Sequence, residues 1–234
     1  MSTVTERVAE VKEKVEQACQ RAGREMEDVT IMAATKGRSV AEIVEAVNAG
    51  LSDVGENYVQ ELLDKKGELD EAGYSDIRWH AIGHLQRNKV RYVVPICDQI
   101  HSVDSLRLAQ EIDRRAARIG KVQAVLLEIN IAGEESKFGI APEQAPQLAE
   151  QIMELEHLQL RGLMTMPPYT DNPEDSRPLF KALRDLAEQL VGRGLPSEAM
   201  SELSMGMSGD YEVAIEEGAT IIRLGTVLFG PGRY

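Results

Sequence analysis

Eight short apolar runs, each separated from the next by a helical pattern, constrain this chain more than any other feature. The runs are Val29–Thr35, Ser52–Gly55, Ile77–Gly83, Gln99–Val103, Gln123–Ile131, Leu158–Met166, Glu202–Met205 and Thr220–Leu224. Helical patterns cover 40–49, 57–70, 86–94, 105–119, 142–155, 173–193 and 209–217. Strict alternation of strand and helix forces parallel strands joined by crossovers. Eight of them close into a (β/α)8 barrel, the TIM barrel of the α/β class. A doubly wound open sheet is the alternative, but no Gly-x-Gly-x-x-Gly turn follows the first run. At 234 residues the chain fits one barrel near the short end of the range, read as a single domain over 1–234. Ahead of it, Val4, Val8, Val11, Val15, Ala18 and Ala22 step by four and three, predicting an extra helix within 1–23 that packs on the barrel. Thr3 and Glu6 have capping-box spacing, and Gly23 is its stop.

Alternation within the runs indicates which ends are polar. In Val125-Leu-Leu-Glu-Ile-Asn-Ile131 the odd positions are all apolar and suit packing against outer helices. The other face reads Leu126, Glu128, Asn130, turning polar toward the C-terminal end, and Arg223 shares a face with Ile221. Polar groups gathering inside the C-terminal mouth mark a barrel's active face. A plain alternative is that Glu128 neutralises Arg223.

Charge narrows the partners. With 26 basic against 39 acidic residues the net charge is −13, which argues against nucleic acid or an anionic membrane. No apolar stretch approaches a membrane span, the charged N-terminus is unlike a signal peptide, and Cys19 and Cys97 lack metal spacing. The expectation is a cytoplasmic protein with free thiols, monomeric because one barrel closes its own core.

Two turns near the C-terminus carry the chemistry. Leu203-Ser-Met-Gly-Met-Ser-Gly-Asp210 and Thr220-Ile-Ile-Arg-Leu-Gly-Thr226 each end an apolar run in small residues, Ser208-Gly209 and Gly225-Thr226. Backbone N–H groups at such turns approach anions closely, and a neighbouring hydroxyl adds a directed hydrogen bond. They read either as a phosphate cup or as ordinary strand-to-helix turns. Lys36 follows the first strand in Ala33-Ala-Thr-Lys-Gly-Arg38, pointing to the mouth. Desolvation there enriches the neutral amine that attacks an aldehyde, whereas the bland reading is a loop lysine. An amine opposite a phosphate cup matches what pyridoxal 5′-phosphate (PLP) needs. Arg223 beside the pyridine nitrogen would leave that nitrogen unprotonated and help carbanion chemistry only modestly. His80 and His84 span a strand end and Gly83, so they do not share a helix face as a metal pair would.

With those residues in hand, the chain resembles the pyridoxal phosphate homeostasis protein family. The resemblance runs through Gly55-Glu-Asn-Tyr-Val-Gln-Glu61, Trp79-His-Ala-Ile-Gly-His-Leu-Gln-Arg-Asn-Lys89, Glu135-Ser-Lys-Phe-Gly139, Arg161-Gly-Leu-Met164, Gly206-Met-Ser-Gly-Asp210 and Arg223-Leu-Gly-Thr226. It implies a fold similar to the barrel domain of alanine racemase without that enzyme's second domain. It also implies a Schiff base between PLP and Lys36, Asn57 beside the cofactor, Ser208, Gly225 and Thr226 on the phosphate, and Arg223 at the pyridine nitrogen. The implied role is vitamin B6 homeostasis without dedicated turnover, with effects on amino- and keto-acid balance and PLP-dependent apo-enzymes as recipients. Two departures stand out: Ala81 replaces a larger apolar residue, and Arg233 falls one residue later than usual. Lys137 reads either as a second cofactor-handling amine or as a charged loop residue. A racemase-like enzyme, a Schiff-base aldolase for a phosphorylated sugar and a cofactor-gated interaction module are the competing readings.

Overall fold

The computed structural model describes residues 3–134 and 136–231. Helix α1 (Val4–Arg21) precedes the first strand β1 (Thr30–Ala34). There follow α2 (Val40–Asn48), β2 (Asp53–Glu56), α3 (Val59–Glu71), β3 (Arg78–Ala81), α4 (Val90–Val93), β4 (Gln99–Val103) and α5 (Leu106–Arg118). The second half contains β5 (Gln123–Glu128), α6 (Ala145–Met153), β6 (Leu158–Met164), α7 (Arg177–Gly192), β7 (Glu202–Ser204), α8 (Tyr211–Glu216), β8 (Ile221–Leu224) and α9 (Thr226–Phe229). All eight strands pair in parallel and in order, and β8 returns to β1 with Met32 opposite Arg223, closing the barrel.

The local signals explain the start of the chain. The Thr3 hydroxyl accepts from the Glu6 N–H, and the Glu6 carboxylate accepts from the Thr3 N–H at 2.8 Å. Gly23 leaves the helix at φ 66°, a conformation that favours glycine. The predicted stripe, Val4, Val8, Val11, Val15 and Ala18, is buried, and α1 lies against α2, α8 and α9.

Most of the apolar core lies between the outward strand faces and the helices, as Val125, Leu127 and Ile129 show. Four further buried apolar residues, Met32, Leu126, Met164 and Ile221, stand apart from that core, inside the barrel. Their inner layer is shared with Asp53, His80, His101, Glu128, Ser204 and Arg223, all buried. Removing a buried leucine such as Leu127 to alanine costs about 2–5 kcal/mol in such cores. Gly55 belongs to the inner layer because a Cβ there would come within 2.6 Å of the Met32 sulfur.

Boundaries differ from the sequence reading at identifiable places. β3 ends at Ala81, not Gly83, because the chain at Gly83 passes against the Asn57 backbone, 2.4 Å from where a Cβ would stand. β5 ends at Glu128, after which Ile129 pairs only as a bridge with Ile140. The helix expected over 86–94 divides into a 3₁₀ turn at Arg87–Lys89 followed by α4. Helices α6 and α7 begin later than expected, after 3₁₀ turns opened by Pro142 and Pro173. Pro146 and Pro178 then occupy their first turns, where no backbone N–H is needed.

Candidate functional site

The predicted residues line one arc of the barrel mouth, above four consecutive strands in the order β7, β8, β1, β2. Ser208 follows β7, Gly225 and Thr226 follow β8, Lys36 follows β1, and Asn57 follows β2. Register keeps them adjacent: Ala33 lies opposite Leu224, and Ala34 lies opposite Gly55. Arg223 sits one layer lower, inside the barrel and 6% exposed.

Lys36 occupies a turn completed by Gly37 at φ 67°. The turn is held on both sides by a buried lysine on α3. Lys65 donates to the Thr35 carbonyl at 2.6 Å, to Glu56 Oε1 at 2.5 Å and to Glu61 Oε2 at 2.7 Å. Glu61 also accepts from the Gly37 N–H at 2.8 Å, and the Thr35 hydroxyl donates to Glu56. Burial pushes the Glu56 carboxyl up against the opposing hydrogen bonds of Lys65 and Thr35. For Glu61 burial acts in the same direction, but hydrogen bonds from Lys65 and Gly37 outweigh it and leave that carboxyl below its ordinary value. Lys36 itself is exposed, with Nζ 5.3 Å from the Tyr58 ring centroid. The desolvation expected from sequence is absent because the residue stands on a turn above the rim, past the end of the strand.

The two C-terminal turns meet through one hydroxyl. Ser208 Oγ accepts from the N–H groups of Gly225 at 3.1 Å and Val227 at 3.2 Å. Asp210 shapes the first turn, accepting from the Met207 N–H at 2.7 Å and the Ser176 hydroxyl at 3.0 Å. Arg38, buried, donates to the carbonyls of Phe229 and Gly230 and ties the far end of α9 to the β1 loop. A Cβ on Gly225 would meet nothing closer than 3.5 Å, and one on Gly209 nothing within 4 Å. Among the described residues neither glycine is required by neighbouring atoms, so the turns leave room for a ligand to approach backbone. The Thr226 N–H has no hydrogen-bond partner among the described residues.

Arg223 donates through Nη1 to the Ser204 hydroxyl at 2.7 Å and through Nη2 to the Thr165 carbonyl at 2.8 Å. It makes no ion pair with Glu128 among the described residues, so the plain neutralisation reading does not hold as a contact. Burial pushes its pKa down to about 10, with Asp210 and Glu128 pulling the other way. Burial pushes Glu128 up to about 7; Asp104 adds to this and Arg223 opposes it. Glu128 Oε2 is buried without a hydrogen-bond partner among the described residues, a polar atom left for a ligand or a proton.

Asn57 and Glu128 line a cavity of about 560 Å³ with Tyr58, Gly83, Phe138 and Met166. Ser208 lines a separate cavity of about 430 Å³ with Gly209, Asp210 and Val227. Lys36, Arg223, Gly225 and Thr226 line neither, so the six residues share an arc rather than one enclosed pocket. Their chemistry nevertheless fits PLP: an accessible amine, a hydroxyl and backbone cup, and a buried cation between.

A match to the family described as alanine racemase, N-terminal domain, spans residues 7–232. A protein of Aquifex aeolicus named pyridoxal phosphate homeostasis protein is 47% identical over 229 residues, 98% of each chain. The chain belongs to the pyridoxal phosphate homeostasis protein family. Among solved structures, PipY of Synechococcus elongatus PCC7942 with PLP bound has a TM-score of 0.85 and 36% identity, covering 97% of this chain and 100% of that one. An alanine racemase of Clostridium difficile 630 is 15% identical with a TM-score of 0.74 over 98% of this chain and 58% of that one, which shows the shared barrel alone.

Other family motifs find structural reasons. His84 stacks on Phe138 at 3.8 Å between centroids, while His80 points inside the barrel, so the pair diverges. Lys137 donates to the Met166 carbonyl at 3.3 Å and lies 3.6 Å from Glu134, which tethers it at the edge of the mouth. Ala81 is buried in the outer core. Glu135 and Arg233 lie outside the described residues. Sequence reasoning did not assign roles to Glu56, Glu61, Lys65, Arg38 or Asp210. The spacing of Glu61 and Lys65, four apart on one helix, was the available signal.

Proposed function

We propose that the chain binds PLP reversibly at Lys36 and serves vitamin B6 homeostasis as a carrier with no dedicated turnover. The observation that carries this reading is the arc from Ser208 through Gly225 and Thr226 to Lys36 and Asn57, with Arg223 beneath it. When bound, PLP supplies an aldehyde that a primary amine captures reversibly. Lys36 presents that amine, and the Glu56–Lys65–Glu61 group fixes the turn that bears it. The Ser208 hydroxyl and Thr226, with Gly225 giving room for close approach, would hold the phosphate. Arg223 would face the pyridine nitrogen as a donor and would offer it no proton acceptor. Asn57 would border the ring.

Support for a carrier over an enzyme comes from the relatives, which are named for homeostasis rather than for a reaction. An open rim with an exposed lysine suits loading and release to PLP-dependent apo-enzymes, and a monomer suffices for it. No helix among the described residues is long and apolar enough to cross a membrane. Buried free Cys19 and Cys97 suit the reducing cytoplasm, where we place the protein.

The test is the visible absorption spectrum of purified protein with PLP, before and after borohydride, followed by peptide mapping. A band fixed by reduction onto Lys36 and lost in Lys36→Ala is the expected result. Folded wild-type protein without that band would overturn the reading. Alanine racemisation by the loaded protein, abolished in the same variant, would overturn the carrier assignment while leaving the site.

A further inference from the structure

Behind Arg223 the barrel interior holds a continuous file of buried polar side chains. The Ser204 hydroxyl that accepts from Arg223 lies 2.9 Å from His101 Nδ1. His101 Nε2 lies 3.1 Å from His80 Nδ1, with the rings edge to face. His80 Nε2 lies 3.0 Å from Asp53 Oδ1, and Asp53 Oδ2 accepts from Arg78 at 2.6 Å. Five strands contribute, and the file crosses the interior from β4 to β7. It begins at Asp53, the first residue of β2 at the N-terminal end of the barrel, and ends under the mouth.

Donor and acceptor rules give the file a direction. Burial pushes the Asp53 carboxyl up, but hydrogen bonds from His80 and Arg78 outweigh it and hold the group below its ordinary value. Asp53 is therefore an anion that only accepts, and His80 Nε2 must carry hydrogen. In a neutral His80, Nδ1 then accepts, so His101 donates from Nε2. Burial, with the Arg223 charge acting in the same direction, keeps His101 uncharged. Its Nδ1 accepts in turn, which commits the Ser204 hydrogen to His101 and leaves the serine lone pairs to Arg223. Every link is satisfied, and one anion sets the order of all of them.

We propose that Asp53, His80 and His101 are positioning residues that orient Ser204, and through it the Arg223 guanidinium, from the opposite end of the barrel. The effect on PLP rests on the function proposed above; the order of hydrogens does not.

The first test uses ligand-free protein at pH 8, where ordinary imidazoles are neutral. Nitrogen-15 correlation spectra of the four histidines, assigned with single substitutions, read the tautomers directly. His80 and His101 should both carry hydrogen on Nε2. Hydrogen on His101 Nδ1 would overturn the proposal whether or not PLP binds. The second test is Ser204→Ala against Ser204→Thr with PLP. Alanine should weaken PLP binding about tenfold, the loss of one hydrogen bond to a charged group, and shift the absorption band. Threonine, which keeps the hydroxyl, should restore both. In Asp53→Leu, checked for folding by circular dichroism, Nδ1–H His101 should appear. A folded Asp53→Leu protein with wild-type tautomers and spectrum would sink the coupling.

Discussion

Lys65 donates its ammonium hydrogen to the carbonyl of Thr35 at 2.6 Å, one residue before the amine proposed to carry the cofactor. A charged side chain with 9% exposure is thus used to fix backbone, and Glu56 and Glu61 flank it as counter-ions. Removing one member of a buried ion group leaves the others uncompensated, which is more damaging than never having built the group. Lys65→Met should therefore lose about 3 kcal/mol of stability in urea unfolding. It should also slow borohydride-trapped labelling of Lys36, because the turn is released. Lys36→Ala, at an exposed position, should stay within about 0.5 kcal/mol of wild type in the same unfolding experiment.

Gly225 separates ligand binding from folding. Among the described residues, nothing beyond its chain neighbours stands closer than 3.5 Å to a Cβ built there, and its φ of −114° lies outside the left-handed region. Gly225→Ala should leave the melting temperature within a few degrees of wild type. The new methyl group should weaken PLP binding, measured by absorbance titration, by tenfold or more, on the order of 1.4 kcal/mol. Equal PLP affinity in the two proteins would move the phosphate away from this turn.

Gly83 is the opposite case. A Cβ there would lie 2.4 Å from the Asn57 carbonyl oxygen and 2.8 Å from the Asn57 Cα, and both are backbone. The clash cannot be relieved by a side-chain rotation, so Gly83→Ala should cost about 1–3 kcal/mol as overpacking does. It should displace the β2 loop and with it Asn57. Urea unfolding and PLP titration should therefore change together, unlike for Gly225→Ala.

The barrel was legible because its signals are periodic. Strand alternation in Val125–Ile131 and the four-three stripe of α1 each survive as packing faces. Placement of Ser208, Gly225 and Arg223 followed from strand ends, since a strand's last residues define the mouth. What stayed hidden depends on contacts between distant segments. Lys65 meets Thr35 across 30 residues, and Arg38 meets Gly230 across 192. His101 reaches Ser204 across 103, and no local period encodes such pairings. Sequence left Lys36 open between a desolvated amine and a surface loop lysine for a related reason: a turn's height above the rim is set by the elements beneath it.

Glu128 connects stability to pH in a direction opposite to most carboxylates. Its folded pKa of about 7 lies above the ordinary 4.5, chiefly through burial. Below the ordinary value both folded and unfolded chains hold the proton, and the group costs nothing. Between 4.5 and about 7 only the folded chain retains it. Stability from this group therefore drains as pH rises through that window, and above it the buried anion carries its full penalty. Glu128→Gln keeps the shape and cannot ionise. It should match wild type at pH 4 and exceed it at pH 8, by on the order of 2–3 kcal/mol in urea unfolding. If the two proteins differ equally at both pH values, the carboxyl has the same pKa folded and unfolded, and the attraction of Arg223 fully offsets burial.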